Sequence, residues 1–297
     1  MTDRIEQAVT PETTNSTFAF ELRDVTKSYD SFKLGPISFA LPSGYVMGFI
    51  GPNGAGKTTT LKAMINVIHH GGQVMIGGVD NQIASMEEIG VVMDTPIYVG
   101  EWTINQLRGI LKPFYAHWDD TVFTARLRGF GLDLDKRVKD LSRGMGVKLQ
   151  IAVALSHHAK LLILDEPTSG LDPIAREEVG DLLRQFVGDE RHSVLFSTHI
   201  TSDLERVADY ITFILAGRIA FSGATSDLLE KYVRVAGDPS ALTSDQKRLI
   251  VGYSSHPAGF DGLVEAGNRN LLPAAVLAEK PSLDDIVIYL NKGAHHE

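Results

Sequence analysis

Tyr45–Met64 reads YVMGFIGPNGAGKTTTLKAM. Its first part, YVMGFI, is an apolar run of strand length, and a helical pattern sets in at Thr58 and runs to about His69. Between them Gly51–Thr58, GPNGAGKT, fits G-x-x-x-x-G-K-[ST]. Glycines in such a loop let backbone N–H groups curl around phosphates, and the helix that follows adds the positive end of its dipole. Lys57 can then reach β- and γ-phosphates, and the Thr58 hydroxyl can ligate Mg²⁺. At ordinary residue frequencies a chain of this length matches the pattern by chance about once in a hundred. The strand before and the helix after supply the context this chemistry needs. The bland alternative is an ordinary glycine-rich turn.

Upstream, Phe18–Tyr29 (FAFELRDVTKSY) alternates apolar and polar residues as a half-buried strand does, and Leu34–Ala40 is a second strand, closed by the turn signal PSG. Downstream, QVMIGG and EIGVVMD are short strands. Thr103 to about Phe130 is helical in period, broken by Pro113 and HWDD, and a further helix runs from Ser142 to about His157. LLILD and SVLFS are near-continuous apolar runs, typical of strands buried on both faces of a parallel sheet. YITFILAGRIAFSG splits at Ala216-Gly217 into a hairpin. Strands alternating with helices imply a doubly wound α/β core. From about Ser226 a short amphipathic helix, the turn-rich VAGDPSALTSDQ, the run RLIVGY, a loop with Pro257 and Gly259, and a closing helix from Ser282, with Asp285 placed for a capping box, predict a small appendage.

The 297 residues are 43% hydrophobic, enough for a sizeable core. Cysteine is absent, which excludes disulfides and thiolate metal sites and suits a reducing compartment. Twenty-eight basic against 37 acidic residues leave a formal charge of −9, the wrong balance for a nucleic-acid binder. No apolar run approaches the ~18–20 residues that cross a bilayer. Residues 1–17 are polar and acid-containing, and are expected to form a flexible leader rather than a signal or transit peptide.

Asp165 ends the strand LLILD, where it can hold Mg²⁺, and Glu166 follows it as a candidate general base for an attacking water. A solvated acidic pair capping a strand is the alternative. His199 follows SVLFST at the end of another core strand, where ligands of open α/β sheets bind. His69, His70, His157, His158 and His192 sit beside turns or helix ends and take a structural reading. Ser142 and Gly144, in LSRGM, stand at a helix start that is either a plain N-cap or a second anion cradle.

GPNGAGKTT, LSRGM, LLILDEPTSGLDP and STH, in this order, resemble the ATP-binding cassette (ABC) ATPases over about residues 18–225. The resemblance implies a P-loop NTPase core with a mostly parallel sheet, an antiparallel β subdomain, a helical subdomain and, over 226–297, a small C-terminal appendage. It implies ATP and Mg²⁺, with Gly51, Pro52, Asn53, Gly54, Ala55, Gly56, Lys57, Thr58 and Thr59 as the phosphate loop. Tyr29 would stack on adenine, Thr58 and Asp165 would serve the metal, Glu166 would be the catalytic glutamate and His199 the switch histidine. Ser142, Gly144 and Asp172 would face ATP held by a second ATPase subunit, identical or a close paralogue.

Two departures stand out. The signature is LSRGM rather than LSGGQ, so Arg143 adds a charge. Asp94, in VVMDTP, lies where the family has a glutamine that contacts Mg²⁺; it would either take that metal role or pair with Arg143 or Lys57.

The MDTP and FYAHWDD stretches resemble ATPases of bacterial efflux systems that export antibiotics or amphipathic peptides through separate membrane subunits. The chain is therefore expected to power an exporter from the cytoplasmic face of the membrane, bound to a multi-span subunit and to no nucleic acid. The region from Thr95 to Trp118, with Tyr98, Trp102, Phe114, Tyr115 and Trp118, is the expected docking surface, against core packing as the alternative. A soluble ABC ATPase acting on ribosomes or DNA is the second reading. A P-loop kinase or GTPase gives no reason for LSRGM or STH.

Overall fold

A computed structural model describes residues 18–84, 86–94 and 98–294. The expected leader, 1–17, and the first residues of the expected docking region lie outside them. In chain order the first elements are β1 (Phe18–Ser28), β2 (Lys33–Pro42), β3 (Val46–Ile50), α1 (Lys57–Met64), β4 (Gly71–Ile76), β5 (Val79–Asp80) and β6 (Ile89–Val92). Then come α2 (Ile104–Leu111), α3 (Asp120–Gly129) and α4 (Arg143–Ser156). The chain returns to strands with β7 (Leu161–Asp165), α5 (Pro173–Phe186), β8 (Ser193–Thr198), α6 (Thr201–Leu204), β9 (Tyr210–Leu215) and β10 (Arg218–Ala224). It closes with α7 (Thr225–Lys231), β11 (Tyr232–Gly237), α8 (Ser244–Arg248), β12 (Val251–His256), β13 (Gly259–Glu265), β14 (Leu277–Glu279) and α9 (Leu283–Ala294).

The central sheet has the order β10-β9-β3-β8-β7-β6 and is parallel except for β10. Every residue of β3, β7 and β8 is buried, as a sheet covered on both faces requires. Alternate residues feed opposite cores. Leu162 and Leu164 pack on the side of α4 and α5 with Val147, Ile151, Val179 and Leu183. Leu161 and Ile163 face the antiparallel sheet β2-β1-β4-β5, with Phe20, Leu22, Leu41 and Leu61. Parallel register brings Ile50 beside Thr198 and Asp165 beside Ser197, so the C-terminal ends of β3, β8 and β7 open at one place.

α1 is shorter than the expected run to His69. Asn66 takes a left-handed φ of 56°, and Val67 N–H donates to the Lys62 carbonyl at 2.9 Å, which closes the helix. The Thr103–Phe130 pattern breaks where Pro113 and HWDD break it, giving α2 behind a Thr103–Gln106 capping box and α3 behind an Asp119 cap. With α4 these helices enclose a separate core of Ile104, Leu107, Phe123, Leu127, Leu149 and Val153. Tyr98, Trp102 and Trp118 pack against that core, and Tyr115 stacks on His157 with ring centroids 4.2 Å apart. Of the five aromatics in the expected docking region Phe114 is mostly exposed, at 73%, and the other four are partly buried.

α5 is an element that periodicity alone did not single out. Asp172 caps it, Pro173 occupies its first turn, and only Val179 and Leu183 are fully buried. The C-terminal part holds its own sheet, β12-β13-β11-β14, around Val235, Ile250, Phe260 and Val264. Here VAGDPSALTSDQ begins inside strand β11, where a loop was expected. The Ser282–Asp285 capping box forms as expected, with both reciprocal bonds at 3.0–3.1 Å. Beyond it Leu283, Ile286 and Tyr289 enter the same cluster as Phe196, Leu204, Val207 and Ile211, so one core runs across the expected boundary near residue 226.

Leu283 has no exposed surface. Leu283→Ala should cost about 2–5 kcal/mol. In a urea titration the unfolding midpoint should fall with little change in slope. An unchanged midpoint would mean that α9 does not belong to the shared core.

Candidate functional site

The loop after β3 bends back over the start of α1. Gly56 is the residue before that helix, with φ 113°; a Cβ there would come within 2.8 Å of Leu34 and 3.0 Å of Phe32. Only glycine takes this backbone in so close a space. The first turn of α1 carries no acid, so its N–H groups and dipole present an uncompensated positive end. Lys57, 6% exposed, folds its ammonium into the loop, donating to the Gly51 carbonyl at 2.7 Å and lying 3.2 Å from Glu166 Oε1.

Two carboxylates from consecutive positions meet this loop. Asp165 is 3% exposed and accepts from the Thr58 hydroxyl at 2.7 Å and the Ser197 hydroxyl at 2.6 Å. Strand alternation would send Glu166 to the opposite face. A left-handed φ of 49° turns it back, while its N–H still donates to the Ser197 carbonyl at 3.0 Å. Strain of this kind, of order 1–3 kcal/mol, persists where the surroundings over-determine it. Here Lys57 holds one carboxylate oxygen and His199 the other, with Nδ1 at 2.7 Å and its backbone N–H at 3.3 Å.

These groups line a cleft of about 550 Å³ whose wall includes Ser31, Phe32, Gly54, Thr59, Asp94 and Glu166. The structure thus brings together the loop from Pro52 to Thr59, Asp165, Glu166 and His199. Tyr29 is not part of the cleft wall; it is 48% exposed, with the Lys27 ammonium 5.4 Å from its ring centroid, while Phe32 forms the wall itself. Asp94 reaches the cleft wall but pairs with Arg143.

Ser142, Gly144 and Asp172 stand apart from this cleft. Ser142 accepts from Met145 N–H at 3.4 Å as the cap of α4, and Asp172 accepts from Ile174 and Ala175 N–H at 3.0 Å as the cap of α5. Gly144 backs onto Leu171, so these two helix starts form one surface. Ser197 and Phe32 are the residues that sequence reading missed. Ser197 stands in the STH run, and its register opposite Asp165 gives it a role.

A sequence profile described as ABC transporter matches residues 34–169. The lantibiotic transport ATP-binding protein SrtF of Streptococcus pyogenes is 33% identical over 204 residues, 67% of this chain and 88% of that protein. The chain belongs to the ABC transporter family. The Nod factor export ATP-binding protein I of Rhizobium meliloti is 31% identical over 305 residues, 92% of this chain and 88% of its own length. The bacitracin transport ATP-binding protein BcrA of Bacillus licheniformis is 32% identical, covering 78% of each chain. A solved ATP-binding subunit of an ABC transporter superposes with TM-score 0.62 at 27% identity, covering 71% of this chain and 91% of the other.

The chain is thus an ATP-binding subunit of an ABC transporter, and its activity is ATP hydrolysis. In this ABC ATPase the start of α1 and the Lys57 ammonium are the parts of the cleft suited to receive phosphate. Triphosphate oxygens would replace the Gly51 carbonyl as partners of the Lys57 ammonium. Charge-assisted bonds of this type contribute about 1.5–3 kcal/mol. Lys57→Met should therefore weaken ATP binding about 10–10²-fold, read by titration with a fluorescent ATP analogue. An unchanged dissociation constant would remove Lys57 from the phosphate site.

Proposed function

We propose that this ABC ATPase powers export, working at the cytoplasmic face of the membrane with a separate multi-span subunit and a second ATPase subunit, identical or a close paralogue. The cargo class we infer is an antibiotic or an amphipathic peptide. Relatives named for lantibiotic transport, bacitracin transport and Nod factor export support this direction. No helix among the described residues is long and apolar enough to cross a membrane, which fits a translocation path in another chain. The relatives' names and the −9 charge favour transport over action on ribosomes or DNA.

The observation that carries the chemistry is the convergence of Lys57, Glu166 and His199 beside the Thr58–Asp165 pair. Glu166 accepts a proton from the attacking water as its oxygen bonds to the γ-phosphorus and the bond to the β-phosphate oxygen breaks. ADP and inorganic phosphate leave. Lys57 neutralises charge on the transferred group. His199 orients the Glu166 carboxylate through one oxygen and, from its 43% exposed position, can meet the γ-phosphate. One carboxylate and one hydroxyl are a sparse oxygen set, and no group of three or more acidic, His or Cys ligands occurs among the described residues. That suits Mg²⁺, which takes one or two protein oxygens and fills its shell with phosphates and water. Thr58 and Asp165 would hold it, and it would supply further charge neutralisation. Tyr29, exposed and three residues before Phe32 of the cleft wall, would stack on adenine.

Ser142, Gly144 and Asp172 lie outside the wall of their own chain's cleft, which supports their serving ATP bound to the partner. ATP then acts between two subunits as the material that joins them.

Glu166→Gln should lower steady hydrolysis about 10²–10⁴-fold while ATP binding persists, as loss of a positioned general base does. Turnover above about a tenth of the parent rate, in a phosphate-release assay, would end this assignment. The same blocked chain should dimerise on adding ATP but not ADP, checked by light scattering. A protein that stays monomeric with saturating ATP would contradict the shared site.

A further inference from the structure

Two of the positions that depart from the ABC motifs are ion-paired to each other. Arg143 opens α4, and its Nη2 pairs with Asp94 Oδ1 at the end of β6. The stem of Arg143 crosses Gly170 of the SGLD loop, where its Cδ lies 3.4 Å from the place of a Cβ. The guanidinium therefore sits where the signature, the SGLD loop and the end of β6 meet. That is the surface read above as facing the partner's ATP.

Asp94 belongs to two cavities. It lines the nucleotide cleft with Lys57, Thr58 and Asp165. It also lines a smaller one, of about 230 Å³, with Ser142, Arg143 and Gln150. The backbone just before it is held still. Buried Gln150 accepts from Met93 N–H at 3.0 Å and donates to the Met93 carbonyl at 3.2 Å. Asp94 can thus change partners by turning its side chain, without moving β6 against α4.

The pair is weak. Its side chains are 43% and 47% exposed. Exposed pairs of this kind add little to stability, because water screens them and two long side chains must be held in place. A triphosphate, with several negative charges and planar oxygen pairs that match a guanidinium, outcompetes one half-exposed carboxylate.

We propose that Arg143 is a further phosphate-binding residue, aimed at the γ-phosphate of ATP in the partner subunit, and that Asp94 of its own chain masks it until that ATP arrives. The exchange frees Asp94 on the wall of its own nucleotide cleft, beside Thr58 and Asp165. Delivery of Arg143 to one site thereby adds a carboxylate to the other. This rests on the reading that the start of α4 serves ATP across a dimer.

The test uses the full chain carrying Glu166→Gln, at saturating ATP, with the dimer dissociation constant measured by sedimentation equilibrium. Arg143→Gln should raise that constant at least tenfold, and Arg143→Lys should restore part of it. Asp94→Asn should lower the constant, because Arg143 is then unmasked before ATP arrives. In the Arg143→Gln background, Asp94→Asn should then have no effect. The opposed signs are decisive. A merely structural ion pair would make both single variants weaken the dimer alike, and that result would overturn the proposal. A parent chain that dimerises with ATP together with an Arg143→Gln chain that dimerises equally well would also overturn it while leaving the shared site intact. A parent that never dimerises would remove both. Thermal unfolding of each variant separates loss of fold from loss of the contact.

Discussion

The buried carboxylate of Asp165, held between the hydroxyls of Thr58 and Ser197, is the contact on which the rest of the site depends. It ties the start of α1 to the ends of β7 and β8, with the carboxylate itself almost fully buried at the base of the cleft. An unpartnered carboxylate there would be costly. With both oxygens satisfied it becomes a rigid post. The glycine loop is fixed on one side of that post and the Glu166 turn on the other. Parallel register supplies the coincidence, since Asp165 and Ser197 are direct neighbours across two fully buried strands.

From that post the network extends by single contacts. Glu166 divides its two oxygens between Lys57 and His199, so the two side chains share one anion. Displacing Lys57 toward a phosphate removes one of two constraints on Glu166 and leaves it oriented by His199. Binding and readiness for chemistry are therefore coupled through a single side chain.

The C-terminal part joins this arrangement mechanically. Thr201, two residues after His199, donates to Asp284, and Leu283 N–H donates to Glu205 at 3.1 Å. Leu283, Ile286 and Tyr289 pack in the same core as β8, whose end carries His199. α9 thus buttresses the segment that positions the histidine. Separately, the helices α2 to α4 have their own core, which absorbs most of the aromatics flanking Asp94. The start of α4 and the SGLD loop form one surface through the contact of Gly144 with Leu171.

Local patterns in the sequence determined much of this. The G-x-x-x-x-G-K-T run specifies its own loop, because only glycines take its left-handed turns and the helix must follow at once. The apolar runs LLILD and SVLFS specify buried parallel strands, and Ser282 with Asp285 specifies a helix start. Each is a property of neighbouring residues. What the tertiary structure alone decided depends on which distant segments become neighbours. The partnership of Ser197 with Asp165 needs strand register. The turn of Glu166 toward the cleft needs a φ that no spacing rule requires. Val235 and Ala236 read as loop beside Gly237 and Pro239, yet they pair with β13 and become strand. α5 shows too few buried positions to stand out until the sheet covers Val179 and Leu183. The sequence left Asp94 a choice between Mg²⁺, Arg143 and Lys57, and the structure pairs it with Arg143. Folding places them together, because β6 and α4 pack side by side through Gln150, and no local pattern encodes that contact.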